Sequence, residues 1–347
     1  MKILIAGGAG FIGSNLTERL LRDGHHVTIA DNFSTGRRSN LSGLSGHPNF
    51  KAVELDIVGP LPDFGKLDRI YNLASPASPP GYKRYPIETL RVNSEGTRNL
   101  LELAGQCEAR FLFASTSEAY GDPLEHPQRE TYRGNVSSTG PRSMYDEGKR
   151  FGEAMTMAYF RDRAIDARIV RIFNTYGPNS DPADGRLIPN FVTQALRGDP
   201  ITIYADGRQT RSLCYVTDLV EGLVRAMESW RGTGEVINLG NPEEQTILEF
   251  AHLVVKLTDS RSIFEYAPPA VGDDPQRRQP DIAKAQELLQ WAPEVRLAEG
   301  MRRTIDYFRR ELGISSHELA SAEAAGSTTA RRRVGTMQPI RNTPRSS

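Results

Sequence analysis

Tyr145 and Lys149 stand four residues apart in the run Tyr145-Asp146-Glu147-Gly148-Lys149, a spacing that puts both side chains on one face of a helix. An ammonium beside a phenol favours phenolate and draws the tyrosine pKa toward neutrality, where the oxygen works as a general base. Alone, the pair is common by chance, and its plain reading is an exposed tyrosine beside a solvated lysine. Upstream, Ser115-Thr116-Ser117-Glu118 gathers three hydroxyls and a carboxylate. A base, a cation and a row of hydrogen-bonding groups together suit hydride removal from an alcohol carbon. That chemistry requires a hydride acceptor close by.

The start of the chain supplies a place for one. A strand, Lys2-Ile3-Leu4-Ile5-Ala6, runs into the turn Gly7-Gly8-Ala9-Gly10-Phe11-Ile12-Gly13, then a helix, then a second strand from His26 to Ala30. Glycines let backbone N–H groups reach a pyrophosphate with no Cβ in the way, and the helix aims its positive end at the same anion. The spacing Gly7-x-x-Gly10-x-x-Gly13 differs from the G-x-G-x-x-G form, but the strand, helix and acid around it carry the reading. Asp31, eighteen residues after Gly13, is where a carboxylate accepts both ribose hydroxyls and repels a 2′-phosphate, so the cofactor reads as NAD rather than NADP. Arg37 and Arg38 could cradle a phosphate, though loop arginines are more often solvated.

These groups need a scaffold. Apolar runs at Phe50–Leu55, Asp68–Leu73, Arg110–Ala114 and Ala167–Phe173 alternate with helical patterns, which predicts a doubly wound parallel α/β sheet with strands buried on both faces. Ligands then sit beyond the carboxyl ends of the strands. The second strand ends in Asp31-Asn32-Phe33 and the third in Asp56-Ile57, a carboxylate and an apolar group able to flank adenine. The fourth leads into Ala74-Ser75-Pro76-Ala77-Ser78-Pro79-Pro80-Gly81-Tyr82, read as a stiff non-helical loop. A helix from about Ile87 to Cys107 carries Asn93 among apolar positions, and another runs from Tyr145 to about Arg161.

The bulk properties exclude several classes. The 347 residues hold 43 Lys plus Arg against 43 Asp plus Glu, which speaks against a nucleic-acid partner. Cys107 and Cys214 are too few for a disulfide framework and suggest a reducing compartment. The six histidines lack ligand spacing, so no metal is expected. Without a charged leader or a long apolar run, the expectation is a cytoplasmic protein with no membrane contact. Residues 315–347, rich in Ser, Ala, Thr and Arg, read as a disordered tail.

The combination resembles the extended short-chain dehydrogenase/reductases, the NAD-dependent epimerase/dehydratase family, and within them the UDP-glucuronate decarboxylases (UDP-xylose synthases). The likeness runs from Met1 to about Leu312 through Leu73-Ala74-Ser75-Pro76-Ala77-Ser78-Pro79-Pro80, Tyr145-Asp146-Glu147-Gly148-Lys149-Arg150, Arg171-Ile172-Phe173-Asn174-Thr175-Tyr176-Gly177-Pro178, Gln209-Thr210-Arg211, Asn238-Leu239-Gly240-Asn241-Pro242 and Asp273-Asp274-Pro275-Gln276-Arg277-Arg278-Gln279-Pro280-Asp281. It implies an NAD-binding Rossmann domain at 1–173 and a smaller, interleaved nucleotide-sugar lobe at 174–314.

In that frame tightly bound NAD would be held by Gly7, Gly10, Phe11, Ile12, Gly13, Asp31, Asn32, Phe33, Ser34, Thr35, Gly36, Asp56, Ile57, Leu73, Ala74, Thr89, Tyr145, Lys149, Thr175 and Arg186. A UDP-glucuronate substrate would meet Asn93, Ser117, Tyr145, Asn174, Gly185, Arg186, Asn190, Thr202, Tyr204, Arg211 and Arg278. Tyr145, Lys149, Thr116, Ser117, Glu118 and Arg211 would carry the chemistry: C4 oxidation, loss of CO₂ from the β-keto acid, and C4 re-reduction. Glu118 and Arg211 are expected to set decarboxylation apart from related outcomes, or else to form an ordinary ion pair between lobes. A 4-epimerase is the rival reading; a 4,6-dehydratase needs an Asp-Glu pair where this chain has Ser117-Glu118. The loop Asn179–Ala183 departs from the family pattern. The resemblance also implies a homodimer through the Tyr145 and Asn93 helices, with Leu100, Leu103, Phe151 and Met155 as candidate contacts or else as residues facing the sheet.

Overall fold

The structure, a computed structural model, describes residues 1–268 and 277–314. The strands are β1 (Lys2–Ala6), β2 (His26–Asp31), β3 (Phe50–Glu54), β4 (Arg69–Asn72), β5 (Arg110–Thr116), β6 (Ala167–Ile172), β7 (Thr175–Tyr176), β8 (Ile201–Tyr204), β9 (Thr210–Ser212), β10 (Cys214–Tyr215), β11 (Val236–Leu239), β12 (Glu244–Thr246) and β13 (Phe264–Ala267). The helices are α1 (Phe11–Arg22), α2 (Pro79–Arg84), α3 (Pro86–Arg91), α4 (Thr97–Cys107), α5 (Ser143–Arg163), α6 (Leu187–Arg197), α7 (Val216–Glu228), α8 (Ile247–Thr258), α9 (Ala283–Leu289) and α10 (Leu297–Glu311).

Seven strands make one parallel sheet in the order β11-β6-β5-β4-β1-β2-β3, the doubly wound arrangement the alternation predicts. Successive side chains of a strand point to opposite faces, and β1 shows the result: Ile3 and Ile5 join a core with Leu16, Leu20, Leu219 and Leu223, while Leu4 and Ala6 join one with Leu100, Leu101, Phe111 and Phe113. Helices therefore cover both faces. The strand order reverses between β1 and β4, and at such a switch point the loops splay apart to leave a crevice.

Four readings change. β3 lies at the sheet edge and is half exposed rather than buried on both faces. The run from Ala74 is not all loop: the Ser78 side chain accepts from Gly81 N–H, and Pro79-Pro80 open α2, since proline suits the first helical turn. The Asn93 helix is divided, α3 and α4 being joined by a π-type turn over Val92–Gly96. Leu100 is fully buried in the core and is no dimer contact; Leu103 and Met155 pack partly against that core, and Phe151 is 51% exposed.

Met1–Phe308 form one compact unit. β11, from the half expected to form the substrate lobe, completes the main sheet. The expected disordered tail and Asp273–Gln276 lie outside the described residues. No described helix is long and apolar enough to cross a membrane.

Candidate active site

The glycine turn after β1 is packed so closely that side chains are excluded. Gly7 has φ +80°, and a Cβ there would lie 2.8 Å from the Leu73 and Ala74 backbone; one on Gly13 would lie 2.1 Å from Gly7 O. Gly10 starts α1 with no side-chain cap and no acid in the first turn, leaving the N–H groups and the positive helix end open to an anion. The Asp31 carboxylate accepts from Ala9 N (2.9 Å) and Phe33 N (2.9 Å). Burial pushes its pKa up, and these N–H bonds only partly offset it.

A cleft is lined by Gly7, Gly10, Asp31, Asn32, Ser34, Thr35, Gly36, Asp56, Ile57, Leu73 and Ala74, all expected there, and also by Ser75, Pro76, Glu88, Arg91 and Val92, which the sequence reading did not assign to it. A cradle that a Cβ would fill, an uncapped helix end and an acid at the end of β2 fit a dinucleotide. Arg38 is engaged elsewhere, 2.6 Å from Glu54 and 4.0 Å above the Phe33 ring. Phe11, Ile12 and Gly13 form the first turn of α1 rather than the cleft wall, and Phe33 packs on the core. Thr89 is fully buried, its hydroxyl donating to Tyr85 O (2.7 Å).

At the ends of β5 and α5 lies a second, buried group. Thr116 Oγ1 accepts from Glu118 N (3.2 Å), which leaves its O–H to donate to Tyr145. That bond and the charge of Arg186 lower the phenol's pKa, but burial acts first and more strongly, and the pKa rises to about 12. Lys149 donates to Ala114 O (2.8 Å); burial draws its pKa down to about 7 against the pull of Glu153. The expected direct tuning of Tyr145 by Lys149 is thus not preset: desolvation, which sequence spacing does not report, dominates both groups.

Glu118 is ringed by guanidinium groups. Arg278 grips both its oxygens, with Nη2 2.9 Å from Oε2, and Arg142 donates to Oε2 as well. Burial pushes the Glu118 carboxyl up, but Arg278 and Arg142, with Arg211 beyond them, outweigh it and hold the pKa below the ordinary value. Arg278 and Arg142, which the sequence reading did not pair with Glu118, thus join Arg211 around it; Arg211, on β9, also donates to Thr210 O (2.8 Å). Ser117 is buried beside this group.

Tyr82 of α2 stacks on Tyr145 with ring centroids 5.2 Å apart. Its hydroxyl is buried and has no hydrogen-bond partner among the described residues. Sequence reading missed Tyr82 and Arg142, although Ser78-Pro79-Pro80 signals the helix that carries the first, and Arg142 precedes Tyr145 by about one helical turn. Asn93 is fully buried, donating to Ser75 Oγ (3.0 Å) and Thr89 O (2.8 Å), with its Oδ1 unpartnered among the described residues.

The remaining expected residues make the following contacts. Thr175 donates to Phe173 O (2.9 Å), and Asn174 O accepts from Cys214 N. Gly185, at φ +78°, comes so near Pro80 that a Cβ would lie 2.7 Å from its ring; Asn190 donates to Gly185 O (3.1 Å), and Arg186 pairs with Asp184 (3.0 Å). The Thr202 hydroxyl accepts from Gln194 (2.9 Å), and Tyr204 is 40% exposed. The divergent loop is tied down by Asn40, which donates to Asn179 O (3.1 Å), and by Asn179, which donates to Ser14 Oγ (3.2 Å).

The model of the NAD dependent epimerase/dehydratase family matches residues 3–240. UDP-glucuronic acid decarboxylase 1 of Danio rerio is 53% identical over 311 residues, spanning 90% of this chain and 73% of that protein. UDP-glucose 4-epimerase of Thermotoga maritima, solved with UDP-glucose, superposes with TM-score 0.82 at 31% identity over 90% of this chain and 100% of that one. UDP-glucuronic acid 4-epimerase of Bacillus cereus, solved with UDP-glucuronic acid and NAD, gives TM-score 0.80 at 29% identity over 89% and 99%. With its glycine cradle, its Tyr145–Lys149 helix and a match that spans most of its length, the chain belongs to the NAD-dependent epimerase/dehydratase family.

Proposed function

We propose that this enzyme converts UDP-glucuronate to UDP-xylose and CO₂, using NAD that stays bound and is regenerated in each turnover. The observation that carries the reading is the buried Arg278–Arg142–Arg211 group around Glu118, beside Tyr145: fixed cationic forks suited to a sugar carboxylate, next to a base suited to the sugar hydroxyl. Support comes from the decarboxylase relative at 53% identity, well above the epimerases at about 30%.

NAD, when bound, would supply the hydride acceptor for C4, a pyridinium charge, and the hydride returned at the end. Tyr145 takes the C4 hydroxyl proton, and Thr116 hydrogen-bonds the phenolate that this requires. Lys149 donates to the Ala114 carbonyl and would hold the cofactor ribose. Once C4 is a ketone, the C6 carboxylate is β to it, and C5–C6 cleavage passes its electron pair into an enolate with release of CO₂. Tyr145, with Thr116 or Ser117, donates to that oxyanion. Arg278 and Arg142 orient the carboxylate, Arg211 adds charge, and Glu118 positions the water or proton that C5 receives. Tyr82, with its spare hydroxyl over the site, donates to the sugar. Gly7 and Gly10 would hold the cofactor's pyrophosphate, and Asp31 its ribose.

The reading extends to a cytoplasmic homodimer in which exposed Phe151 of α5 and Ile87 of α3 face the partner. The test is to give purified protein UDP-glucuronate with no added cofactor and to weigh the product. A UDP-pentose supports the proposal; an unchanged mass with inverted C4 makes the enzyme an epimerase.

A further inference from the structure

Arg278 lies in an extended run beside residues 269–276, outside the described range, yet its guanidinium is set against both oxygens of Glu118. Much of that run's main chain is held by one residue, Gln128, in the loop after β5, while Gln279 Nε2 donates to Pro242 O (2.7 Å) and Asn238 Nδ2 to Asp281 O (3.2 Å). Gln128 is fully buried. Its N–H donates to Gln279 O (2.8 Å), and its side-chain Oε1 accepts from Gln279 N (2.9 Å). Both main-chain groups of the residue next to Arg278 thus end on one side chain and backbone from a distant part of the sequence. Gln128 O also accepts from Asp281 N (2.9 Å) and from Asn238 Nδ2 (3.1 Å), and its Nε2 donates to Glu125 O (2.8 Å).

Asn238 connects this clamp to the reacting centre. It sits on β11 in the main sheet, and its Oδ1 accepts from Tyr120 OH (2.8 Å), Tyr120 being the last residue of the short turn Ser117–Tyr120 that carries Glu118. Glu118 and Arg278 are therefore referenced to one frame of buried hydrogen bonds, with Gln128 as the member that holds the arginine's strand. Buried amides with every group satisfied tolerate little displacement.

We propose that Gln128 is a positioning residue that sets Arg278 at the sugar carboxylate and so governs decarboxylation without touching substrate or the C4 oxidation machinery; this rests on the decarboxylase reading of the site. A side chain at 128 that cannot accept from Gln279 N leaves a buried N–H unpaired and lets the 277–281 run shift. A shift on the scale of an ångström costs about a hundredfold in a geometry-dependent step. Tyr145, Lys149 and the glycine cradle are carried by other elements and keep their places.

The experiment compares wild type with Gln128→Met and with Gln279→Pro, which removes the same N–H from the other partner together with the Gln279 Nε2 bond to Pro242 O. Cofactor reduction in a single turnover reads C4 oxidation, and CO₂ release reads the second step. In both variants C4 oxidation is expected within about twofold of wild type while CO₂ release falls on the order of ten- to a hundredfold, so that the 4-keto acid accumulates. Should Gln128→Met fail to fold, Gln279→Pro decides. Equal loss of both steps, or no loss of either, overturns the positioning role. Wild-type protein that releases no CO₂ removes instead the reading beneath it, and the proposal with it.

Discussion

Replacing Glu118 by Gln keeps the side-chain shape and an acceptor oxygen but removes the charge that Arg278 and Arg142 grip. Hydrogen bonds to a charged group contribute about 1.5–3 kcal/mol against roughly 1 kcal/mol for neutral ones, so three guanidinium contacts lose about 3 kcal/mol together. That agrees with the low end of the 3–5 kcal/mol or so lost when a buried pair is broken outright. At roughly 2 cal/mol/K per residue, the Met1–Phe308 unit unfolds with about 0.6 kcal/mol/K of entropy, so Tm falls by about 5 °C. The arginines hold the Glu118 pKa below its ordinary value in spite of burial. A depressed folded pKa stabilises above the unfolded value and is lost as pH falls through the folded one, so the Tm gap is full at about pH 7 and narrows below about pH 4. Calorimetric melts of both proteins across that range read the gap, and CO₂ release from UDP-glucuronate falls by more than cofactor content. Equal Tm values at neutral pH, a gap that ignores pH, or undiminished CO₂ release would refute the reasoning.

Three other substitutions separate the parts of the site. Tyr145→Phe removes the proton acceptor from a packed ring and should retain cofactor while C4 oxidation drops about 10²–10⁴-fold, read by single-turnover cofactor reduction. Tyr82→Phe deletes a buried hydroxyl that bonds to nothing described, so Tm should hold or rise slightly while KM for UDP-glucuronate increases; a lower Tm with unchanged KM would mean the hydroxyl is structural. Asp31→Asn replaces an acceptor-only group with one that presents N–H donors to Ala9 or Phe33, and copurified cofactor should fall with an affinity loss of roughly ten- to a hundredfold.

Much of this arrangement was legible because local chemistry dictated it. The turn at Gly7, Gly10 and Gly13 needs glycine on steric grounds, and the order of strands and helices leaves few ways to wind a parallel sheet. The Tyr145–Lys149 spacing correctly set both residues on α5. Spacing could not report burial, however, and burial decides both pKa values. Nor could it report that Arg278 closes on Glu118, since that contact joins residues 160 positions apart through the Gln128 clamp. The Ser78–Pro80 helix start was overlooked because prolines suggest loop before they suggest a first helical turn.

The central claim is most directly tested by UDP-glucuronate carrying carbon-13 at C6, given to the protein as purified with no added cofactor. The account predicts labelled CO₂ appearing one for one with an unlabelled UDP-pentose. Label retained in a UDP-uronate with inverted C4 would contradict it.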